Sequence, residues 1–219
     1  RRCAGEPLQY ILGEWEFYSL PFAVRAGVLI PRPETELLAE RALALLEGNP
    51  APAVLDLCTG SGCVAAVVAK HIPDARVTAA ELYDVPLEVA AENFRRLGLV
   101  NIALEKADAL EAPPARWAGK FDLLVSNPPY VPRGDLGSLA RELAFEPAEA
   151  LDGGDDGLIF YRAIADKWAS VLRGGGKLAL EIGFDQAARV AALLARHFTG
   201  IETYRDYAGR DRVVTATKN

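Results

Sequence analysis

The sequence predicts an α/β domain, a mostly parallel sheet with helices covering both faces. Two observations predict it. From residue 53 onward, short apolar runs of strand length alternate with stretches of helical periodicity. The first run opens into a glycine-rich turn, and later runs lead into a polar residue: Glu81, Asp108 and Asn127. In such sheets ligands sit beyond the carboxyl ends of the strands, so chemistry is expected on that edge. A chain of 219 residues, 51% of them apolar, can bury one such core with a small appendage.

Ahead of the alternation, residues 7–12 predict a short helix. Residues 14–24, aromatic-rich with a turn at Ser19-Leu20-Pro21, predict a hairpin, and residues 28–30 a further extended piece. Residues 1–30 thus read as a linker and hairpin, and residues 31–219 as the main domain. Pro33 suits a first helical turn, Glu34 and Glu36 complement its dipole, and Leu37, Leu38, Leu45 and Leu46 lay down an apolar stripe. After a loop at 48–52, strands are expected at 53–57, 76–81, 102–106, 121–126, 176–182, 201–206 and 212–217. Helices are expected at 63–71, 85–97, 158–172 and 186–198. The run Asp152-Gly153-Gly154-Asp155-Asp156-Gly157 predicts a flexible loop.

Composition narrows the function. A net charge of −6 leans away from nucleic acid, whose binders neutralise phosphates with a basic surface. No apolar run approaches a bilayer span, and the first seven residues lack the apolar core of a signal peptide, which points to a cytoplasmic protein and no membrane partner. The chain starts at Arg1 and holds no Met, so it reads as an excerpt or a processed form. Cys58 and Cys63 lie inside the glycine-rich turn; with Cys3 they point to reduced thiols, and no Cys/His cluster has metal-site spacing. His71 and His197 fall near helix ends, as solvated or capping side chains.

Two motifs carry the chemistry. Asp56-Leu57-Cys58-Thr59-Gly60-Ser61-Gly62-Cys63 joins the first strand of the alternation to its helix. Gly60 and Gly62 remove side chains where a ligand would approach the backbone, next to a helix N-terminus. As a dinucleotide fingerprint the match is poor, since Cys58 stands at the first glycine and Ala65 at the last. Asp56 can bind an ammonium or organise the loop, and Glu81 can take both hydroxyls of a ribose. The second motif, Ser126-Asn127-Pro128-Pro129-Tyr130, follows a buried strand. Neither proline can donate to the sheet, so the chain must leave it there, stiff and presenting acceptors. The Asn127 side-chain oxygen and the Pro128 carbonyl suit the two hydrogens of a flat NH2 group, with Tyr130 covering one face. A rigid turn that ends a strand is the plainer reading of the same residues.

The two motifs together resemble class I S-adenosylmethionine methyltransferases, with their Asp-x-Gly-x-Gly loop, an acidic end to the second strand and an Asn/Asp-Pro-Pro-Tyr/Phe loop. Gly5-Glu6-Pro7, Glu16-Phe17, Ile30-Pro31-Arg32-Pro33-Glu34-Thr35-Glu36, Phe145-Glu146-Pro147 and Arg210-Asp211-Arg212 sharpen this to the release-factor glutamine N5-methyltransferases (PrmC/HemK). The resemblance implies a seven-stranded, mostly parallel Rossmann-like fold with an N-terminal β-hairpin extension. It implies S-adenosyl-L-methionine as cofactor and peptide chain release factors as protein substrate, methylated on the Gly-Gly-Gln glutamine in translation termination. Family members also carry an N-terminal helical bundle, and this chain begins at the linker hairpin.

Carried over residue by residue, Cys58, Thr59, Gly60, Ser61, Gly62, Glu81 and Asn127 are implied to hold the cofactor. Asp108 and Ala109 lie at its adenine, where some members place a large aromatic instead of Ala109. Asn127, Pro128, Pro129 and Tyr130 are implied to hold the glutamine, and Arg32, Pro33 and Thr35 to form the pocket rim. The alternatives are a ribosomal-protein glutamine or nucleic-acid adenine-N6 methyltransferase with the same loop. More distant are a nicotinamide oxidoreductase, which leaves Asn127 to Tyr130 unexplained, and a non-catalytic binding module.

Overall fold

The computed structural model describes residues 1–219. A short helix α1 (Leu8–Leu12) leads into a hairpin of β1 (Glu14–Phe17) and β2 (Leu20–Ala23). Phe17 pairs with Leu20, so the turn is Tyr18-Ser19, at φ 53° and 58°. The expected turn was one residue late because Tyr-Ser is not a customary pair for left-handed turn positions. Tertiary contacts hold it instead: the Tyr18 N–H donates to Glu36 at 2.8 Å, and the Tyr18 ring sits edge-on to His71 at 5.3 Å. Pro21 lies within β2, tolerated on a two-stranded edge. Residues 28–30 form no strand; Val28 and Ile30 are simply buried.

A single 3-10 turn, Pro33–Thr35, opens α2 (Glu36–Leu45), whose buried face is Leu38, Ala39 and Ala42. Then follow β3 (Ala53–Leu57), α3 (Cys63–His71), β4 (Arg76–Glu81), α4 (Asp84–Arg96), β5 (Ile102–Lys106), β6 (Phe121–Ser126), α5 (Ile159–Asp166), β7 (Leu172–Glu181), α6 (Ala187–Leu194), β8 (Phe198–Arg205) and β9 (Asp211–Lys218). Strands β3 to β9 make one seven-stranded sheet, ordered β5-β4-β3-β6-β7-β9-β8. Only β9 runs against the rest, pairing antiparallel with both β7 and β8.

Alternation along the strands builds a core on each face. Leu55, Leu57, Leu124, Leu178 and Leu180 point to a layer containing Trp168, α5 and α6 residues. Val54, Leu123, Val125 and Ala179 point to a layer made by α2, α3 and α4. Phe17 and Phe22 of the hairpin belong to this second layer. Asn93, fully buried on α4, secures the junction: its Oδ1 accepts the Ala23 N–H at 2.7 Å, while Nδ2 donates to the Ala23 carbonyl at 3.2 Å and the Ser61 carbonyl at 2.9 Å.

Two helices are shorter than expected. The segment 158–172 is α5 followed by a 3-10 turn at Trp168–Val171, and 186–198 is α6 followed by the start of β8. The glycine-rich 152–157 loop, expected to be flexible, is tied down by backbone bonds. Val131 and Asp152 form a bridge, the Gly153 N–H donates to the Val131 carbonyl at 2.8 Å, and the Arg133 N–H donates to the Gly154 carbonyl at 2.8 Å. Its glycines serve close packing, as a Cβ on Gly153 would lie 2.8 Å from Tyr130 backbone atoms. No helix is long and apolar enough to cross a membrane, and no group of His, Cys, Asp and Glu could hold a metal ion. His71 and His197 are exposed, the former with its Nδ1 2.8 Å from the Val67 carbonyl.

Candidate active site

The strand order reverses between β3 and β6, so the loops leaving these neighbours diverge and open a crevice. Leu57 pairs with Ser126, whose hydroxyl donates to the Leu57 carbonyl at 2.6 Å. The next residues, Cys58 and Asn127, therefore enter the crevice side by side.

The glycine turn is organised from beneath by Asp56. Its buried Oδ2 accepts the Thr59 hydroxyl at 2.6 Å and the Ala65 N–H at 3.1 Å, which selects loop organisation among the roles open to it. Burial pushes the Asp56 carboxyl up to about 7 in spite of those two bonds. Cys58 adopts φ 61°, a left-handed conformation where glycine is commoner, and burial raises its thiol pKa well above the ordinary range. Gly60 (φ 57°) has no protein atom within 4 Å of a would-be Cβ, leaving its backbone bare beside the crevice. Gly62 serves another end. A Cβ there would lie 2.5 Å from Phe94 Cε1, so this glycine lets α3 pack on α4 rather than admitting a ligand.

Glu81 ends β4 and ties two loops together. Oε2 accepts the Gly60 N–H at 3.1 Å, and Oε1 accepts the Leu82 and Tyr83 N–H groups at 2.9 and 3.2 Å. Burial raises its pKa, against the pull of these bonds. Asp108 accepts the Leu110 N–H at 2.8 Å, and the buried Ala109 gives its carbonyl to Trp168 Nε1–H at 2.9 Å.

A cavity of about 560 Å³ runs along this edge, walled by Cys58, Gly60, Glu81, Asp108, Ala109, Asn127 and Pro129. A smaller one, about 40 Å³, is lined by Arg32, Thr35, Thr59 and Ser61 and shares Leu29, Cys58, Gly60 and Asn127 with the first. Asn127 stands at their junction. Its Nδ2 donates to Thr35 Oγ1 at 3.3 Å. Pro33 is exposed and Pro128 buried, and neither lines a cavity with its side chain, although the Pro128 carbonyl between Asn127 and Pro129 accepts no bond within the chain. Tyr130 also lines neither; its hydroxyl turns toward Glu181 Oε1 at 3.4 Å.

Several wall and support residues escaped sequence reasoning. Leu29, Leu82, Val85 and Phe160 add apolar faces to the larger cavity. Glu146, buried, accepts the Ile30 N–H at 3.0 Å and pairs with Arg32, fixing the rim. Glu181 ends β7 at 1% exposure. Its signal was present: an acidic residue closing an apolar run, the pattern that singled out Glu81.

Residues 34–160 match the Methyltransferase small domain family. A release factor glutamine methyltransferase from Moorella thermoacetica is 44% identical over 219 residues, covering 99% of this chain and 76% of that protein. The chain belongs to the release factor glutamine methyltransferase family. Among solved structures, a methyltransferase from Pyrococcus furiosus matches at TM-score 0.65 and 18% identity, over 93% of this chain and 91% of that one. M. jannaschii TYW2, solved in complex with AdoMet, matches at TM-score 0.59 and 16% identity, over 94% and 84% of the two chains. At these identities both speak for the fold, which is that of class I methyltransferases.

The cofactor of this methyltransferase family is S-adenosyl-L-methionine. The cavity suits it: bare backbone at Gly60, carboxylates of Glu81 and Asp108 for hydroxyl and amino donors, and apolar faces of Leu29, Leu82 and Phe160 for a flat base.

Proposed function

We propose that this chain methylates N5 of the glutamine side chain in the Gly-Gly-Gln motif of peptide chain release factors, in the cytoplasm. The observation that carries the reading is Asn127 at the junction of the two cavities, with Nδ2 engaged by Thr35 and Oδ1 free to accept. On this reading Cys58 to Ser61, Glu81, Asp108 and Ala109 hold the cofactor, Asn127 to Pro129 hold the glutamine, and Arg32 and Thr35 bound its pocket. Gly62 and Pro33 act through packing and helix initiation, and Tyr130 supports the loop from behind.

S-adenosyl-L-methionine, when bound, supplies an electrophilic methyl group on a sulfonium. The task of the chain is to make an amide nitrogen attack it. That nitrogen is a poor nucleophile because its lone pair is shared with the carbonyl. Asn127 Oδ1 and the Pro128 carbonyl, which accepts no bond within the chain, can take its two hydrogens and fix its direction. Alignment of this kind can supply on the order of 7–11 kcal/mol of the barrier. The methylated nitrogen is strongly acidic and sheds its proton after transfer, so no strong base is required.

The test is to incubate the protein with a release factor and methyl-labelled cofactor and map the peptides by mass. One added methyl on the Gly-Gly-Gln glutamine is expected. A methyl found instead on a ribosomal protein or on adenine in parallel incubations would overturn the reading.

A further inference from the structure

Glu181 lies in neither cavity, yet it touches the machinery twice. The Tyr130 hydroxyl reaches its Oε1, and no donor meets its buried Oε2 at good geometry. Nor is it consumed by a structural ion pair: Arg212, whose charge acts on it, gives its hydrogens to the Ile182 carbonyl and to Asp206. Thr35, 3% exposed, is the neighbour that most opposes the rise burial gives this carboxyl. The Thr35 oxygen meanwhile accepts Asn127 Nδ2–H. A hydroxyl has one hydrogen, and one already accepting from Asn127 must send that hydrogen elsewhere. The Glu181 carboxylate is the acceptor at hand.

Resting on the glutamine-methylating reading above, we infer that Glu181 is a positioning residue which, through the Thr35 hydroxyl, dictates which end of the Asn127 carboxamide faces the substrate. With Glu181 taking the Thr35 hydrogen, Thr35 can only accept from Asn127. Nδ2 is therefore turned toward Thr35 and Oδ1 toward the glutamine. The reverse orientation would set two NH2 groups against each other and remove one of the acceptors that aim the nucleophile. Because Tyr130 leans on the same carboxylate, both ends of the substrate loop are referenced to one buried group.

The test compares Glu181→Gln, Thr35→Val and Thr35→Ser. A glutamine at 181 offers an NH2 as well as an oxygen, and valine removes the link altogether. Both should lower kcat on a release factor by about 10- to 100-fold, with the Kd for S-adenosyl-L-methionine held within about twofold. Thr35→Ser, which keeps the hydroxyl, should lose far less. A second readout needs no turnover: hydrogen exchange of the Asn127 side-chain amide, followed by NMR in the cofactor-free protein. Its protection should vanish in Glu181→Gln and Thr35→Val and persist in Thr35→Ser. Wild-type kcat together with a protected Asn127 amide in Glu181→Gln would overturn the inference. Should Glu181→Gln not fold, Glu181→Asp, which draws the carboxylate back from Thr35, takes its place, and wild-type kcat with a protected Asn127 amide in that variant overturns the inference. If the wild-type protein leaves release factor unmethylated while the exchange pattern follows expectation, the proposed function falls and the positioning role stands.

Discussion

Gly157 is pressed against Tyr130 so closely that a Cβ on it would lie 2.5 Å from the Tyr130 carbonyl oxygen. The same carbonyl accepts Gln186 Nε2–H at 3.0 Å, and Gln186 Nε2 also donates to the Gly157 carbonyl at 3.2 Å. The loop that carries Asn127 is thus clamped at its exit by a glycine and a buried carboxamide.

Gly157→Ala should therefore cost about 2–4 kcal/mol, from overpacking added to its left-handed φ of 74°. Gly209 has a similar φ of 77° but open space around it, and Gly209→Ala should cost only about 1 kcal/mol. Urea denaturation of both variants checks the contrast. Equal losses would mean that the clamp carries no steric weight.

Glu146→Ala should destabilise the protein by about 3 kcal/mol, because it strands the buried Ile30 N–H and leaves Arg32 without its partner. Turnover should suffer as well, the rim being no longer anchored. A denaturation midpoint equal to wild type would contradict this.

Asn127→Ala should reduce kcat by about 100- to 1000-fold, the effect of losing one preorganised polar group at a reacting centre. Cofactor affinity should change little. Calorimetric titration beside single-turnover kinetics separates the two, and parallel losses would argue against the role given to Asn127.

Glu81→Gln should act the other way round. It removes the charge and one acceptor from a group that joins Gly60 to Leu82 and Tyr83. A rise of about tenfold or more in the Kd for S-adenosyl-L-methionine is expected, with kcat at saturation much less affected. Unchanged affinity would remove Glu81 from the cofactor site.

Asp56 gives a pH signature. Its carboxyl titrates near 7 in the folded chain against an ordinary 3.8, so the fold holds the proton more tightly. The stability this provides is complete below about pH 4 and is lost as pH rises to about 7. Relative to Asp56→Asn, whose side chain does not titrate, the wild type should lose on the order of 4 kcal/mol across that interval. Urea unfolding at several pH values measures the difference, and a flat difference would refute the assignment.

Strands 53–57, 76–81, 102–106 and 121–126 were legible to the residue, since each is an apolar run cut off by turn-forming residues. The start of β7 was not. Arg173-Gly174-Gly175-Gly176 has the local character of a loop, and only the long-range pairing of Leu172 with Phe121 draws it into the sheet. Phe198 likewise reads as the end of a helix, but its burial against β7 and β9 residues makes it the first residue of β8.

The site divides along similar lines. That Glu81, Asn127 and Gly60 would line the crevice was recognisable because strand ends and turns carry local signatures. Gln186 was not, and Glu146 stood in a recognisable motif without a readable role, because their work is done on partners 56 and 116 residues away in sequence, the Tyr130 carbonyl and the Ile30 N–H. Gly62 shows the converse: it looks ligand-facing in the motif, but it lines neither cavity and its missing side chain makes room for an aromatic ring on the next helix.

Asn93 links the hairpin backbone at Ala23 to the glycine turn at Ser61 through one side chain. The hairpin is consequently no detachable arm. Shortening the chain past Ala23, or grafting a foreign leader in its place, would leave that amide without two of its bonds and slacken the floor of the methyl-donor pocket from behind. A swap of front ends between relatives should succeed only when the residue at this position travels with the hairpin it serves.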